Sequence, residues 1–406
     1  MQGINKDRLT ESLALMGQIG ATANGGVYRL ALTDEDRDAR NLFREWCEDA
    51  GMTVRIDDFG NMYGRRAGSE DLPPVMLGSH LDSVPFGGRY DGPVGVLTAL
   101  EVVRTLNDQG IVTKHPIDIV NWSNEEGARF LPGLFGSTAA LGTRAAEEAL
   151  NATDEAGCSF RDELVRIGYA GDKANRPTDA RAYLEVHIEQ GPVLEAEDYP
   201  VGLVRGIQGQ FWREVTVKGR AGHAGANPMD SRADALVAAS RMVLGIRELA
   251  LQCAGYGVAT VGKMSVAPGA MNIVPAKVDF TIDARCVLAE DLTMLENGVV
   301  DVVEQAAAAE GVTVEISGDE SYPTILFDTE VMGMIREAMT AEGLPVRELW
   351  SGGGHDAGVA ALQWPAGMIF VRSKDGLSHA EAEYSSPEDI AAAANVLLRA
   401  AVGLAG

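Results

Sequence analysis

Pro74-Val75-Met76-Leu77-Gly78-Ser79-His80-Leu81-Asp82 is the stretch from which the architecture follows. Its apolar start reads as a short buried strand, and His80 and Asp82, two residues apart in extended geometry, share one face just beyond it. The arrangement returns along the chain. Ile117 to Trp122 is an apolar strand followed by Glu125-Glu126; Tyr183 to Ile188 carries His187, with Glu189-Gln190-Gly191-Pro192 after it; Gly367 to Val371 precedes Gly376-Leu377-Ser378-His379. Helix patterns alternate with these strands. One spans 34 to 50, with Thr33 as N-cap, acidic residues in its first turn and Gly51 as its stop; another spans Val94 to Leu106. Alternation of this kind is the mark of an α/β layer with a largely parallel sheet, where ligands collect beyond the carboxyl ends of strands.

The segment from Gln210 to Gly318 reads differently. It runs strand (Trp212 to Lys218), helix (Ser231 to Gln252), two strands (Ala259 to Val266, Ala276 to Asp283), helix (Asp291 to Ala309) and strand (Val312 to Ile316), a β-α-β-β-α-β unit. Because it lies between two stretches that both carry candidate ligands, it is expected to be an inserted domain, 210–318. The first domain is then discontinuous, over 1–209 and 319–406. A chain of 406 residues has the length for two cores.

Composition excludes several classes. With 34 Lys and Arg against 59 Asp and Glu, the formal charge is -25, which repels polyanions and argues against a nucleic-acid partner. The acidity itself reflects either high solubility or a salt-tolerant source. Cys47, Cys158, Cys253 and Cys286 are far apart in sequence with no Cys-x-x-Cys pair, so neither a disulfide framework nor a thiolate zinc knot is expected. The N-terminus has no apolar leader, and no run approaches the roughly 18 to 20 apolar residues that span a bilayer. The expectation is a cytoplasmic protein with no membrane partner.

Five of the six histidines sit in short motifs with chemistry in them: His80-Leu81-Asp82, His187-Ile188-Glu189, Gly222-His223-Ala224-Gly225, Gly353-Gly354-His355-Asp356 and Ser378-His379. His80 beside Asp82 suits a metal-bound imidazole whose ring a carboxylate orients. Asp91, in Gly87-Gly88-Arg89-Tyr90-Asp91-Gly92, places an acid in a glycine-rich loop where backbone comes close to a metal centre. Adjacent Glu125 and Glu126 repel unless one binds a cation and the other holds a proton for part of the cycle, a division that hydrolysis needs. Taken singly, the Glu pair also reads as a solvated acidic turn, and His187 or His379 as a structural imidazole. Their recurrence beyond strand ends points to a metallohydrolase.

Over nearly the whole chain, the motifs Gly78 to Val84, Gly87 to Gly95, Asn124 to Phe130, His187 to Glu195, Gly222 to Met229, Pro268 to Pro275, Gly354 to Ala357 and Met368 to His379 resemble the amidase, hydantoinase and carbamoylase family of dinuclear metallohydrolases. That family lies in the aminoacylase and carboxypeptidase superfamily, and the chain looks most like its N-carbamoyl-L-amino-acid hydrolase branch. The resemblance implies an aminopeptidase-like catalytic domain with a mixed, mostly parallel sheet and an inserted ferredoxin-like lid and dimerisation domain. It implies His80, Asp91, Glu126, His187 and His379 as ligands of two divalent metal ions, Asp91 bridging. Zinc suits three imidazoles and two carboxylates, and manganese, cobalt or nickel also fit. Glu125 is then the general base, Asp82 orients His80, and His223 donates to the oxyanion.

The resemblance also makes Gln190, Asn272, Arg285, Gly354 and His355 substrate contacts, although Arg285 alternatively reads as a surface ion pair with Asp283. The implied substrate is a small ureido compound bearing a carboxylate: an N-carbamoyl-L-amino acid, or alternatively allantoate or β-ureidopropionate with the same mechanism. A dipeptidase, an aminoacylase or a silent metal-binding relative is the more distant alternative. A homodimer through the inserted domain is implied as well. Phe130, Leu131 and Pro132 are candidate pocket residues. The pattern departs at Ala380-Glu381-Ala382-Glu383, where Glu381 stands in place of a common proline, so a looser loop after His379 is expected.

Overall fold

Four adjacent strands run parallel at the middle of the larger sheet: Ile117–Trp122, Val75–His80, Ala182–Ile188 and Ala366–Val371, in that spatial order. Every residue in them is buried in the computed structural model, which describes all residues except Asp319. Burial on both faces explains why they read as continuous apolar runs rather than alternating ones. The flanks reverse direction. Met62–Arg66 pairs antiparallel with both Ile117–Trp122 and Thr53–Ile56, and Val201–Ile207 lies antiparallel to Ala366–Val371. In the mixed, mostly parallel sheet expected from the sequence, the inner four strands are thus parallel and these flanking pairings are antiparallel. The link from Ile56 to Met62 is too short for a crossover, and Asp57, accepting from the amides of Phe59 and Asn61, folds it into a tight reversal.

The helix read over 34 to 50 is found at Asp34–Asp49, with the Thr33 hydroxyl accepting from the Asp36 amide at 3.3 Å. Helix Pro93–Asp108 lies against Val75–His80 and Ala182–Ile188, and Pro387–Ala405 packs on it. Contact is close because Gly95 has no side chain: a Cβ there would come within 2.5 Å of both the Ser79 Cβ and the Val186 carbonyl oxygen.

The chain divides into two compact units, Met1–Gly206 with Leu326–Gly406, and Ile207–Ile325. The first domain read from the sequence resumes at Asp319, which lies outside the described residues. In the inner unit Gly209–Lys218 and Lys277–Cys286 pair antiparallel over their whole length, and Thr313–Ser317 joins Gly209–Lys218. The single strand expected at Ala259 to Val266 is two, Gly257–Thr260 and Met264–Ala267, both pairing with Lys277–Cys286 and interrupted around Gly262. Period-two alternation sends Phe211, Val215, Phe280, Ile282 and Ala284 into a core shared with helices Ala235–Ala250 and Ala289–Glu310. Trp212 and Asp283, cross-strand partners, lie in the opposite phase of that alternation, as does Arg285.

Among the described residues no helix is long and apolar enough to cross a membrane. Gly95→Ala forces a methyl group into a helix-to-sheet contact with no room for it, so we expect a loss of about 2 kcal/mol or more in stability. Urea unfolding followed by circular dichroism checks this, and an unchanged midpoint would contradict the packing described.

Candidate metal centre

Parallel neighbours bring their carboxyl ends to one edge of the sheet, and the candidate ligands lie there. His80 ends Val75–His80, His187 is the penultimate residue of Ala182–Ile188, and Glu125-Glu126 and His379 follow Ile117–Trp122 and Ala366–Val371. Asp91 precedes helix Pro93–Asp108. Gly92 beside it has φ 80° and faces His80, where a Cβ would lie 2.4 Å from Cε1, so glycine alone lets the loop pass the ring.

The two oxygens of Asp91 face different partners. Oδ1 lies 3.2 Å from His187 Nε2 and 3.5 Å from His80 Nε2; Oδ2 lies 3.6 Å from His379 Nε2, which in turn is 3.3 Å from Glu126 Oε2. Two ligand groups result, His80-Asp91-His187 and Asp91-Glu126-His379, sharing one carboxylate. Glu125 Oε2 stands 3.6 Å from His80 Nε2, at the first group. The Nε2 atoms of His80 and His187 are buried without a hydrogen-bond partner among the described residues. Buried polar atoms are normally paired, so two orphaned imidazole nitrogens beside a carboxylate oxygen suit the binding of a cation.

Both rings are held by backbone. His80 Nδ1 bonds the Asp82 carbonyl at 2.9 Å, and His187 Nδ1 bonds the Ile188 carbonyl at 2.9 Å, which puts each hydrogen on Nδ1 and leaves Nε2 as the ligand atom. The Asp82 carboxylate, expected to orient His80, is 3.8 Å from Nδ1 and instead accepts from the amides of Glu125 and Glu126, each at 3.2 Å. It holds the Glu pair at the site; the Asp82 carbonyl orients the ring. Asn124, Gln190 and His379 have φ of 52°, 57° and 53°, the left-handed region that costs non-glycine residues energy and clusters at functional sites.

Gln190, expected on the substrate, donates from Nε2 to Asp91 Oδ2 at 2.7 Å. Ser378 donates to the same oxygen at 2.8 Å. Glu383 accepts from the amides of Tyr90 and Asp91 at 3.1 and 3.0 Å, and its carboxyl is pushed up to about 7 by burial and by Asp91. Ser378 and Glu383 are positioning residues that motif reading quoted without a role. Glu381, where the family pattern has proline, accepts from Thr22 Oγ1 and, at 2.8 Å, from Asn24 Nδ2. The expected looseness after His379 is thus countered by a tether to the turn at 22 to 26.

Burial pushes Glu125 and Glu126 well above the usual carboxylate range, and neighbouring carboxylates add to it: Asp356 and Glu126 on Glu125, Asp91 on Glu126. A bound cation reverses this balance. His355 is buried against His187, ring centroids 4.3 Å apart, with neither nitrogen hydrogen-bonded among the described residues, and burial drives it well below its ordinary value. Gly354 is exposed beside it. Phe130 is core, stacked edge-on against Phe160, which removes it as a pocket residue, while Leu131 is exposed.

His223, Asn272 and Arg285 belong to the inner unit. His223 pairs with Ile273 in a two-stranded ladder, and Ala224 donates to the Asn272 carbonyl at 2.9 Å, so these two motifs meet. His223 Nδ1 accepts from the amides of Gly225 and Ala226 at 3.1 and 3.2 Å, which places its hydrogen on Nε2. Arg285 grips Asp283 through Nε and Nη2 at 2.9 and 2.7 Å, the ion pair foreseen as its alternative reading. Both line a cavity of about 590 Å³ with Trp212, Val258 and Thr260.

Ligand groups at parallel strand ends are the mark of a metal-dependent hydrolase, and the chain belongs to the peptidase family M20/M25/M40, which it matches over residues 76–402. It is 42% identical over 398 residues to the N-carbamoyl-L-amino-acid amidohydrolase of Rhizobium meliloti, covering 98% of this chain and 96% of that one. The allantoate amidohydrolase of Bacillus subtilis is 32% identical over 95% of this chain and 94% of its own. Among solved structures, an amidase of the hydantoinase/carbamoylase family from Burkholderia multivorans superposes with TM-score 0.95 at 45% identity, covering 99% and 98% of the two chains.

Removing the Glu383 carboxylate, by Glu383→Ala, leaves the Tyr90 and Asp91 amides unpaired and frees the loop that presents Asp91. We expect metal affinity to fall about 10- to 100-fold, as for other outer-sphere losses. Competition against a fluorescent chelator measures it; unchanged affinity would contradict the role given to Glu383.

Proposed function

We propose that this chain hydrolyses the ureido C–N bond of N-carbamoyl-L-amino acids, with water, to the amino acid, ammonia and carbon dioxide. The observation that carries the proposal is Asp91, one carboxylate facing two ligand groups, with Glu125 beside the first. His80, Asp91 and His187 would hold one divalent ion, and Asp91, Glu126 and His379 a second, zinc being the ion that suits the donor set. When bound, such ions supply Lewis acidity that brings the pKa of water towards about 7 and polarises the ureido carbonyl.

The chain's own residues do the rest. Glu125, buried and readily protonated, takes the proton of the attacking water and returns it to the leaving nitrogen. His223, with its hydrogen on Nε2, is a donor suited to the oxyanion of the tetrahedral intermediate. Arg285, with Asn272, is suited to the substrate carboxylate through the fork of its guanidinium. Gln190 acts first on Asp91, and Gly354 and His355 complete the substrate contacts. The carbamoyl relatives support this substrate class over allantoate, whose relative is more distant.

The inner unit serves, in this proposal, as a ferredoxin-like lid and dimerisation domain of a cytoplasmic homodimer. Val237 and Leu244 on helix Ala235–Ala250 and Leu251 at its C-cap, seven residues apart and exposed, form an apolar stripe that suits burial against a second copy. Leu244→Glu would then shift the protein to monomer in sedimentation velocity, and a variant that still sediments as a dimer would remove this interface.

Glu125→Gln should lower kcat about 100- to 10,000-fold with metal content retained, and His223→Ala about 100- to 1,000-fold. The assay is ammonia release from N-carbamoyl-L-amino acids, β-ureidopropionate and allantoate, with and without chelator. Turnover that survives chelation, or Glu125→Gln within a few-fold of the parent, would overturn the mechanism; faster release from allantoate would overturn the substrate.

A further inference from the structure

The four cysteines look unrelated in sequence, yet the inner unit brings Cys253 and Cys286 together with their Sγ atoms 3.2 Å apart. Cys286 ends strand Lys277–Cys286, one residue after Arg285, and Cys253 follows helix Ala235–Ala250. The two backbones are held in place around the sulfurs. Gly257 is the ladder partner of Cys286, Val287 donates to the Tyr256 carbonyl at 3.2 Å, and the Gly255 amide donates to Asp291 at 2.9 Å. Gly257 also makes the room: a Cβ there would lie 2.4 Å from Cys253 Sγ and 3.1 Å from Cys286 Sγ. Cys253 is half-buried, Cys286 fully buried, and Cys47 and Cys158 take no part in the pair.

From this geometry we infer that Cys253 and Cys286 are a modification site: a thiol pair that closes to a reversible intramolecular disulfide when a low-molecular-weight disulfide is present. The sulfurs must approach by only about 1 Å to reach bonding distance. Cys253, the accessible member, attacks the small disulfide as a thiolate, forming a mixed disulfide and releasing one thiolate. The Cys286 thiolate then attacks Cys253 Sγ and expels the second. The two cysteines lose two electrons and two protons, and the small disulfide leaves as two thiols, so the step balances. Burial and Cys253 push the Cys286 thiol up, which lowers the thiolate fraction available for this second attack. The product bond fastens the end of the strand that carries Arg285 to the turn after helix Ala235–Ala250, a covalent clamp that a reducing medium leaves open.

The full-length protein treated with oxidised glutathione, denatured, alkylated and mapped by mass spectrometry without reduction tests this. Exposed Cys158 reports that the oxidant reached the protein. The expected result is one linked peptide pair joining Cys253 to Cys286, two hydrogens lighter than the separate peptides, and recovery of both thiols with dithiothreitol. Cys286→Ser should stop the reaction at glutathione on Cys253, and Cys253→Ser should leave Cys286 alkylatable. Cys253 and Cys286 both alkylated, or each carrying its own glutathione, under conditions that modify Cys158 would overturn the inference.

Discussion

Crowding of like charge around Asp91 is the constraint on which the larger unit depends. Asp82, Asp91, Glu125, Glu126 and Glu383 approach one another within a buried edge, and at short range in a medium less polar than water carboxylates repel by several kcal/mol. Imidazoles, hydrogen-bond donors and a bound cation offset that. The site is therefore built around Asp91, whose two oxygens each face a histidine-bearing group and whose backbone and side chain are tied down by Glu383, Ser378 and Gln190.

Much of the surrounding backbone is spent on that arrangement. Asn124, Gln190 and His379 adopt left-handed conformations just beyond their strands, and Gly92 lets the Asp91 loop pass the His80 ring. Each costs stability locally and is held by its neighbours. The Asn124 side chain donates from Nδ2 to the Phe130 carbonyl, the Gln190 backbone amide donates to the Ser373 hydroxyl, and Glu381 braces the segment after His379. That brace is a pair of side-chain hydrogen bonds, from Thr22 and Asn24.

The inner unit shows the same economy in a different form. Two backbone amides on His223 Nδ1 select the tautomer that donates from Nε2. Asp283 takes one edge of Arg285, so the strand itself sets the guanidinium plane. These are local devices, complete within one stretch of sheet and turn, and they explain why Gly222-His223-Ala224-Gly225 and Asp283-Ala284-Arg285 stand out as short motifs.

Strands, helix caps and the motifs bearing imidazoles and acids were legible from sequence alone, because each depends on near neighbours: an apolar run, a Thr33 cap, a histidine or glutamate at a strand end; their reading as ligands rested on the family resemblance. Which groups face which was not. Asp82 looked like the partner of the His80 ring, and only the folded chain shows its carboxylate on the Glu125 and Glu126 amides, 43 and 44 residues away. Glu383 on the Asp91 loop and Cys253 on Cys286 lie 292 and 33 residues apart. Sequence determines the chemistry available and the elements that carry it, since side-chain type and periodicity are local properties. Tertiary structure decides pairing, because it alone determines which carbonyl, amide or sulfur of a distant segment arrives within hydrogen-bonding reach.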